Sequence, residues 1–255
     1  MNWFKVIFPK MQDITENAAI VHEANKKLDL CLKGNKVDAK SWYDEFWDAF
    51  QDNGNRVAYQ GAFSCGWTDE TFKPKYDIIC GSNYNSLFQA FMYSNITDIV
   101  GCLNEAGVKF DTSQCTNFNA LFQGCKSSTT PHINVLNATS VNYTFYNIKA
   151  KSISIENIQP SLKFDSTFCW SSELENLTLT NCVIGQNGFD IHWSTKLSAD
   201  SLKSIITALS TSTTGLTITL PTTAQANYEA VYGAGSWEAL TASRSNWTIA
   251  YAQGG

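Results

Sequence analysis

The chain has 255 residues, 44% of them hydrophobic and 16% charged, with a formal net charge of -5. That is enough apolar material for a sizeable core, so disorder throughout is excluded. Charge is well below the roughly 25% of ordinary globular chains. No global basic field exists to attract nucleic acid, which is not expected as a partner.

The N-terminal stretch Met1–Pro9 lacks the charged start, apolar run and small-residue cleavage site of a signal peptide, so no export signal is expected. No apolar run approaches the length of a membrane span, and membrane insertion is not expected. Residues 12–33 contain neither Gly nor Pro, and place Ile14, Ala18, Val21, Asn25, Leu28 and Leu32 at alternating steps of four and three. This is a heptad seam with Asn25 at an a-type position, where one buried amide can set register and oligomer state. Two readings stay open: a helix that self-associates or anchors the chain, and a helix lying against its own domain. Residues 1–35 are accordingly set apart as an anchoring or oligomerising segment, ending at Gly34-Asn35. Next, Trp42, Tyr43, Phe46, Trp47 and Phe50 share one helical face. They predict a helix within an N-terminal cap over residues 36–80.

Charge thins out near residue 80: residues 1–80 hold 22 charged side chains and the much longer remainder only 19. Ser, Thr and Asn take their place, and a repeat emerges. Phe122, Phe145, Phe168 and Ile191 anchor similar phrases 23 residues apart, preceded by Phe63 and Phe91 at wider gaps of 28 and 31, where insertions are expected. Short alternating pairs follow the anchors: Ile133-x-Val135, Ile153-x-Ile155 and Leu177-x-Leu179, with Leu216-x-Ile218-x-Leu220 closing the series. Period two over so few residues predicts short strands with one buried face. A unit of this size cannot bury its apolar face alone, so neighbours must stack. The fold class expected is an α+β repeat, a leucine-rich-repeat solenoid of about 23-residue units over residues 81–220. A β-sandwich with coincidental spacing is the alternative.

Behind the repeats, Ser198 reads as the N-cap of a helix with Asp200 in its first turn and Leu202, Ile205, Ile206 and Leu209 facing inward. Gln225–Tyr232 and Trp237–Thr241 read as helices and Trp247–Tyr251 as a last strand, a C-terminal cap over residues 221–255. Gly254-Gly255 reads as a frayed tail.

The phrases Phe110–Cys125 and Thr167–Leu177 resemble the BspA-like branch of leucine-rich repeats. The Trp42–Gln51 and Leu197–Ile206 flanks are similar to those of such proteins encoded by phages and prophages of gut Firmicutes. The resemblance covers roughly residues 42–251. It departs from the family pattern at Pro131-His132 and at Lys149-Ala150-Lys151. The resemblance implies a virion setting, in a tail or head fibre or other appendage, with other virion proteins as partners of the N-terminal helix. It leaves open a structural decoration or connector protein, and a bacterial surface adhesin.

No nucleophile elbow, phosphate-binding loop, dinucleotide fingerprint or zinc-protease motif is present. The acidic pairs Asp44-Glu45, Asp69-Glu70 and Glu173/Glu175 are more simply solvated than catalytic. The eight cysteines have no Cys-x-x-Cys spacing and read as small buried fillers, so no metal and no cofactor are expected. Binding suits the residues better than catalysis. Hydroxyl and amide side chains between the strand apolars, Asn134, Ser154 and Thr178, could bond a host-surface glycan or protein. Trp170 and Trp193, which replace small residues in the anchor phrase, read either as stacking platforms or as core filling. The expected product is a non-enzymatic binding array that assembles as a homo-oligomer.

Overall fold

The computed structural model describes residues 61–81 and 85–254. The heptad seam and the aromatic helix at 42–50 lie outside the described residues. Within them the chain winds in successive turns, each hydrogen-bonded in parallel to the next. Two columns carry this pairing, one of short strands and one of anchor turns.

The strand column begins with β1 (Ile78–Ile79) paired to β2 (Phe110–Asp111). Further on, β3 (Ile133–Asn134), β4 (Ser152–Glu156) and β5 (Asn176–Thr180) form a three-stranded parallel sheet. Ile133 sits opposite Ile155, and Ile153 and Ile155 sit opposite Leu177 and Leu179. Each strand therefore places its apolar residues one turn above those of the last. Thr112 joins the two sheets: its hydroxyl accepts from Asn134 N at 2.7 Å and lies 3.1 Å from Asn134 O.

In the anchor column Phe63, Phe91, Phe122, Phe145 and Phe168 form one ladder of buried rings, with centroids 4.9–5.8 Å apart. The last three contacts are stacked, with interplanar angles of 24°, 17° and 10°. The backbone around each ring is a run of tight turns, as in Leu121 N to Phe118 O and Cys125 N to Phe122 O. Such turns need positive φ at fixed places. Two residues before and after the anchors, Gln89 and Tyr93, Ala120 and Gly124, Tyr143 and Asn147, and Ser166 and Trp170 all have φ between 50° and 62°. Between turns, Phe91 N donates to Leu121 O, Phe122 N to Thr144 O and Phe145 N to Thr167 O.

Not every hydroxyl-bearing residue of the turns faces outward. Ser94, Thr144, Thr167, Ser171 and Ser194 are buried. Their hydroxyls serve backbone groups that the irregular turns leave over: Thr144 donates to Phe118 O, Thr167 to Val141 O, Ser171 to Phe145 O and Ser194 to Ser171 O. Unpaired carbonyls at those depths would be costly. Cys80 and Cys115 are likewise buried, and the neighbouring Cys115 thiol together with burial pushes the Cys80 thiol far above its ordinary range.

The wide gap before Phe122 has a concrete source. It exceeds the repeat by eight residues, and α1 (Ile99–Ala106) is eight residues long. Asp98 caps it by accepting from Gly101 N, and Gly107 ends it at φ 67°. Its first N–H groups, which have no partner within the helix, find hydroxyls on the next turn, Ile99 N to Ser127 Oγ and Val100 N to Thr129 Oγ1.

Helix α2 (Ala199–Ala208) has Ser198 as N-cap and buries Leu202, Ile205 and Ile206. It takes the place of a further strand beside β5: Ser201 Oγ accepts from Leu177 N at 2.8 Å and Ser204 Oγ from Leu179 N at 3.0 Å. The sheet edge is thereby closed by side chains. Because α2 occupies that position, β6 (Leu216–Pro221) does not close the strand series as its Leu-x-Ile-x-Leu pattern suggests. It belongs to the anchor column instead, with Ile191 N donating to Thr219 O and Asp190 bridged to Thr219. The helices α3 (Ala224–Tyr232) and α4 (Ser236–Ala242) lead back to β7 (Trp247–Ala252), parallel to β6. Arg244 donates to Leu209 O and Thr207 O at the C-terminus of α2, where a cation suits the carbonyl end of the helix.

Two boundaries shift. Gly61 N already donates to Phe88 O and Ile78 N to Lys109 O, so stacking runs without a break across the charge boundary at residue 80. Charge density follows surface composition, whereas stacking follows the apolar and turn residues beneath it. At the other end Gly254 is no free tail, since a Cβ there would lie 2.6 Å from the Thr195 methyl carbon.

Candidate functional site

Two outward surfaces follow from this geometry. On the strands, alternation turns Ile153 and Ile155 inward and Ser152, Ser154 and Glu156 outward. Thr178 is exposed beside Ser154, and Asn134 lies opposite Glu156. Asn134 and Ser154 are already engaged. Asn134 Oδ1 accepts from Leu136 N at 3.0 Å, holding a local turn. Ser154 Oγ lies 2.9 Å from His132 Nδ1, and His132 Nε2 lies 3.2 Å from Glu156 Oε2.

Sequence reasoning missed His132 and Glu156. The available signal was the departure at Pro131-His132, which puts an imidazole one repeat before the Ser154 hydroxyl. Hydroxyl, imidazole and carboxylate in a chain resemble an activated nucleophile. Acyl transfer also requires donors aimed at a developing oxyanion in a site closed to water. The cluster instead lies on an open sheet face, with the His132 side chain 49% exposed, and β4 is paired on both sides. What it offers is a row of donors and acceptors.

The anchor turns carry the second surface. Trp170 does not fill the core: it is 51% exposed and has φ 61°. It stacks on Tyr146 at 5.8 Å and meets Trp193 edge-on at 5.8 Å. Tyr143 packs on Tyr146 at 5.7 Å. Trp193 is half-buried and contacts the His192 ring at 5.0 Å. Burial raises the Cys169 pKa, nearby Asp190 adds to this, and the neighbouring Trp193 indole opposes it. His192 Nδ1 is 2.6 Å from Asp190 Oδ1. The structure thus joins Trp170 and Trp193 to each other and to Tyr146 and Tyr143, which the sequence reading did not single out. It keeps them on a different segment of each turn from Asn134, Ser154 and Thr178.

Of the acidic groups considered from sequence, Asp44 and Glu45 lie outside the described residues, and Asp69, Glu173 and Glu175 are occupied. Glu173 bonds Lys196 at 2.8 Å, which holds its carboxyl below the ordinary value, and Glu175 pairs with Lys151 at 3.1 Å. Burial alone would raise the Asp69 carboxyl. Hydrogen bonds from the Thr97 hydroxyl and the N–H groups of Thr97 and Asp98 outweigh it and lower the pKa. Among the described residues, no group of three His, Cys, Asp or Glu side chains is placed to hold a metal ion. No described helix is long and apolar enough to cross a membrane.

No protein-family model matches the chain, and neither a curated protein nor a solved structure matches it.

Proposed function

We propose that this chain is a non-enzymatic, virion-associated protein of the leucine-rich repeat type, a tail or head fibre or similar appendage. Its stacked units present a binding face to a host-surface glycan or protein. The observation that carries the binding reading is the division of labour within each turn. Phenylalanine, isoleucine and leucine side chains are consumed inside, while the outward positions of consecutive turns form rows of polar groups and exposed rings. Rows of this kind suit extended recognition, because each turn adds one more contact in line. The virion setting rests on the resemblance of Phe110–Cys125 and Thr167–Leu177 to BspA-like repeats. The heptad seam at 14–32 is the proposed route to other virion proteins or to copies of the chain.

Labelled full-length protein added to intact Firmicutes cells tests the reading, together with antibody raised against it and applied to intact phage particles. Saturable cell binding and antibody access are expected. Particles that conceal the array, with no cell binding by the free protein, would make it a connector whose face is buried in the particle.

A further inference from the structure

We propose that the aromatic row formed by Tyr146, Trp170 and Trp193, with Tyr143 beside it, is a subsite for an uncharged oligosaccharide chain lying across consecutive turns. This rests on the reading of the array as a binding surface, and it places the contact on the anchor turns instead of the strands.

Three observations converge. The first is backbone strain at an exposed position. The turn at Trp170 has φ 61°; the equivalent places hold Gly124 and Asn147, residues suited to it, and Tyr93, likewise exposed and aromatic. A bulky residue there is an outlier, and half of its surface faces solvent. Neither core packing nor turn geometry calls for an indole at that place, and unfavourable backbone of this kind clusters at ligand-holding positions.

The second is unused hydrogen-bonding capacity. Among the described residues, the hydroxyls of Tyr143 and Tyr146 and the indole N–H of Trp170 have no partner in the protein. Rings with free polar edges match a ligand that alternates C–H surface with hydroxyls.

The third is charge. The four ring-bearing residues are neutral, and the ionisable groups in contact with the row, Asp190 and His192, are bonded to each other. The row itself therefore carries no charge to pair with a sulfated, sialylated or phosphorylated ligand. The rings come from three successive turns, one after another, so a chain of sugars engages all of them and a monosaccharide only one. Mutual ring contacts hold the row in place before binding, which lowers the ordering cost.

The test uses the full-length chain on immobilised gluco-, galacto-, manno- and N-acetylglucosamine oligosaccharides, from monosaccharide to hexasaccharide, with uronic and sialic acid chains alongside. Retention by a neutral series, strengthening with chain length, is expected. Trp170→Gly should weaken it by about tenfold. Because glycine suits this backbone, the variant should unfold at the same temperature as the parent or above it, so lost binding is not lost folding. Tyr146→Phe, which removes only the hydroxyl, should give a smaller loss. Retention of acidic chains alone, of no chain, or equally by Trp170→Gly would overturn the proposal. So would self-association that disappears in Trp170→Gly, which would assign the row to a second copy of the chain. If Ser154→Ala and Thr178→Ala abolish cell binding while Trp170→Gly does not, this subsite falls and the binding function stands. If the chain retains neither cells nor glycans, both fall.

Discussion

Gly124 sets the position of an outward side chain through what it lacks. Its φ is 62°, and a Cβ added there would lie 2.3 Å from the ring of Tyr93 on the preceding turn. Tyr93 is exposed on one side and accepts a hydrogen bond from Gln123 on the other. Gly124→Ala should therefore cost about 1–2 kcal/mol from the left-handed backbone alone, and it should also swing Tyr93 away from Gln123. Urea denaturation measures the first, and a crystal structure or tyrosine side-chain NMR the second. An unchanged midpoint would mean that the turn accepts a side chain as readily here as at Ala120, which has φ 56°.

Among elements, α2 has the least expected task. Strand β5 would otherwise end the three-stranded sheet with free N–H groups, an invitation to further pairing. The hydroxyls of Ser201 and Ser204 accept from two of them, and Ser201 is itself buried. Ser201→Ala leaves Leu177 N–H without its acceptor in the interior, a loss of about 1–3 kcal/mol. Thermal and chemical unfolding of Ser201→Ala against Ser204→Ala checks this, since the half-buried Ser204 site can admit water and should cost less. Equal and negligible effects would mean that helix packing alone closes the edge. The helix was readable from Ser198, Asp200 and the spacing of Leu202, Ile205 and Ile206. Its role as a substitute strand was not, because nothing in that local pattern says which neighbour it covers. The same limit explains Leu216-x-Ile218-x-Leu220: alternation shows a strand with one buried face, but not the column in which it pairs.

At the scale of the whole molecule, contacts run from each turn to its neighbours, so disturbance should stay local. Phe145 sits mid-ladder between Phe122 and Phe168. Phe145→Ala should cost about 3–5 kcal/mol, with amide hydrogen exchange accelerating around residues 118–125 and 164–171 and least in β6 and β7. Uniform acceleration along the chain would show a single cooperative core in place of a stack of coupled turns. The spacing of Phe122, Phe145, Phe168 and Ile191, the inward residues of β4 and β5, and the C-terminal helices and strand were all determined by sequence, because periodic burial must repeat with the backbone that produces it. Only the tertiary structure decided which outward side chains meet. His132 reaches Ser154 and Glu156, Tyr146 reaches Trp170, and Trp170 reaches Trp193, across turns 22 to 24 residues apart. Those meetings depend on the stacking register and on left-handed turns at non-glycine residues, and neither leaves a local mark in the chain.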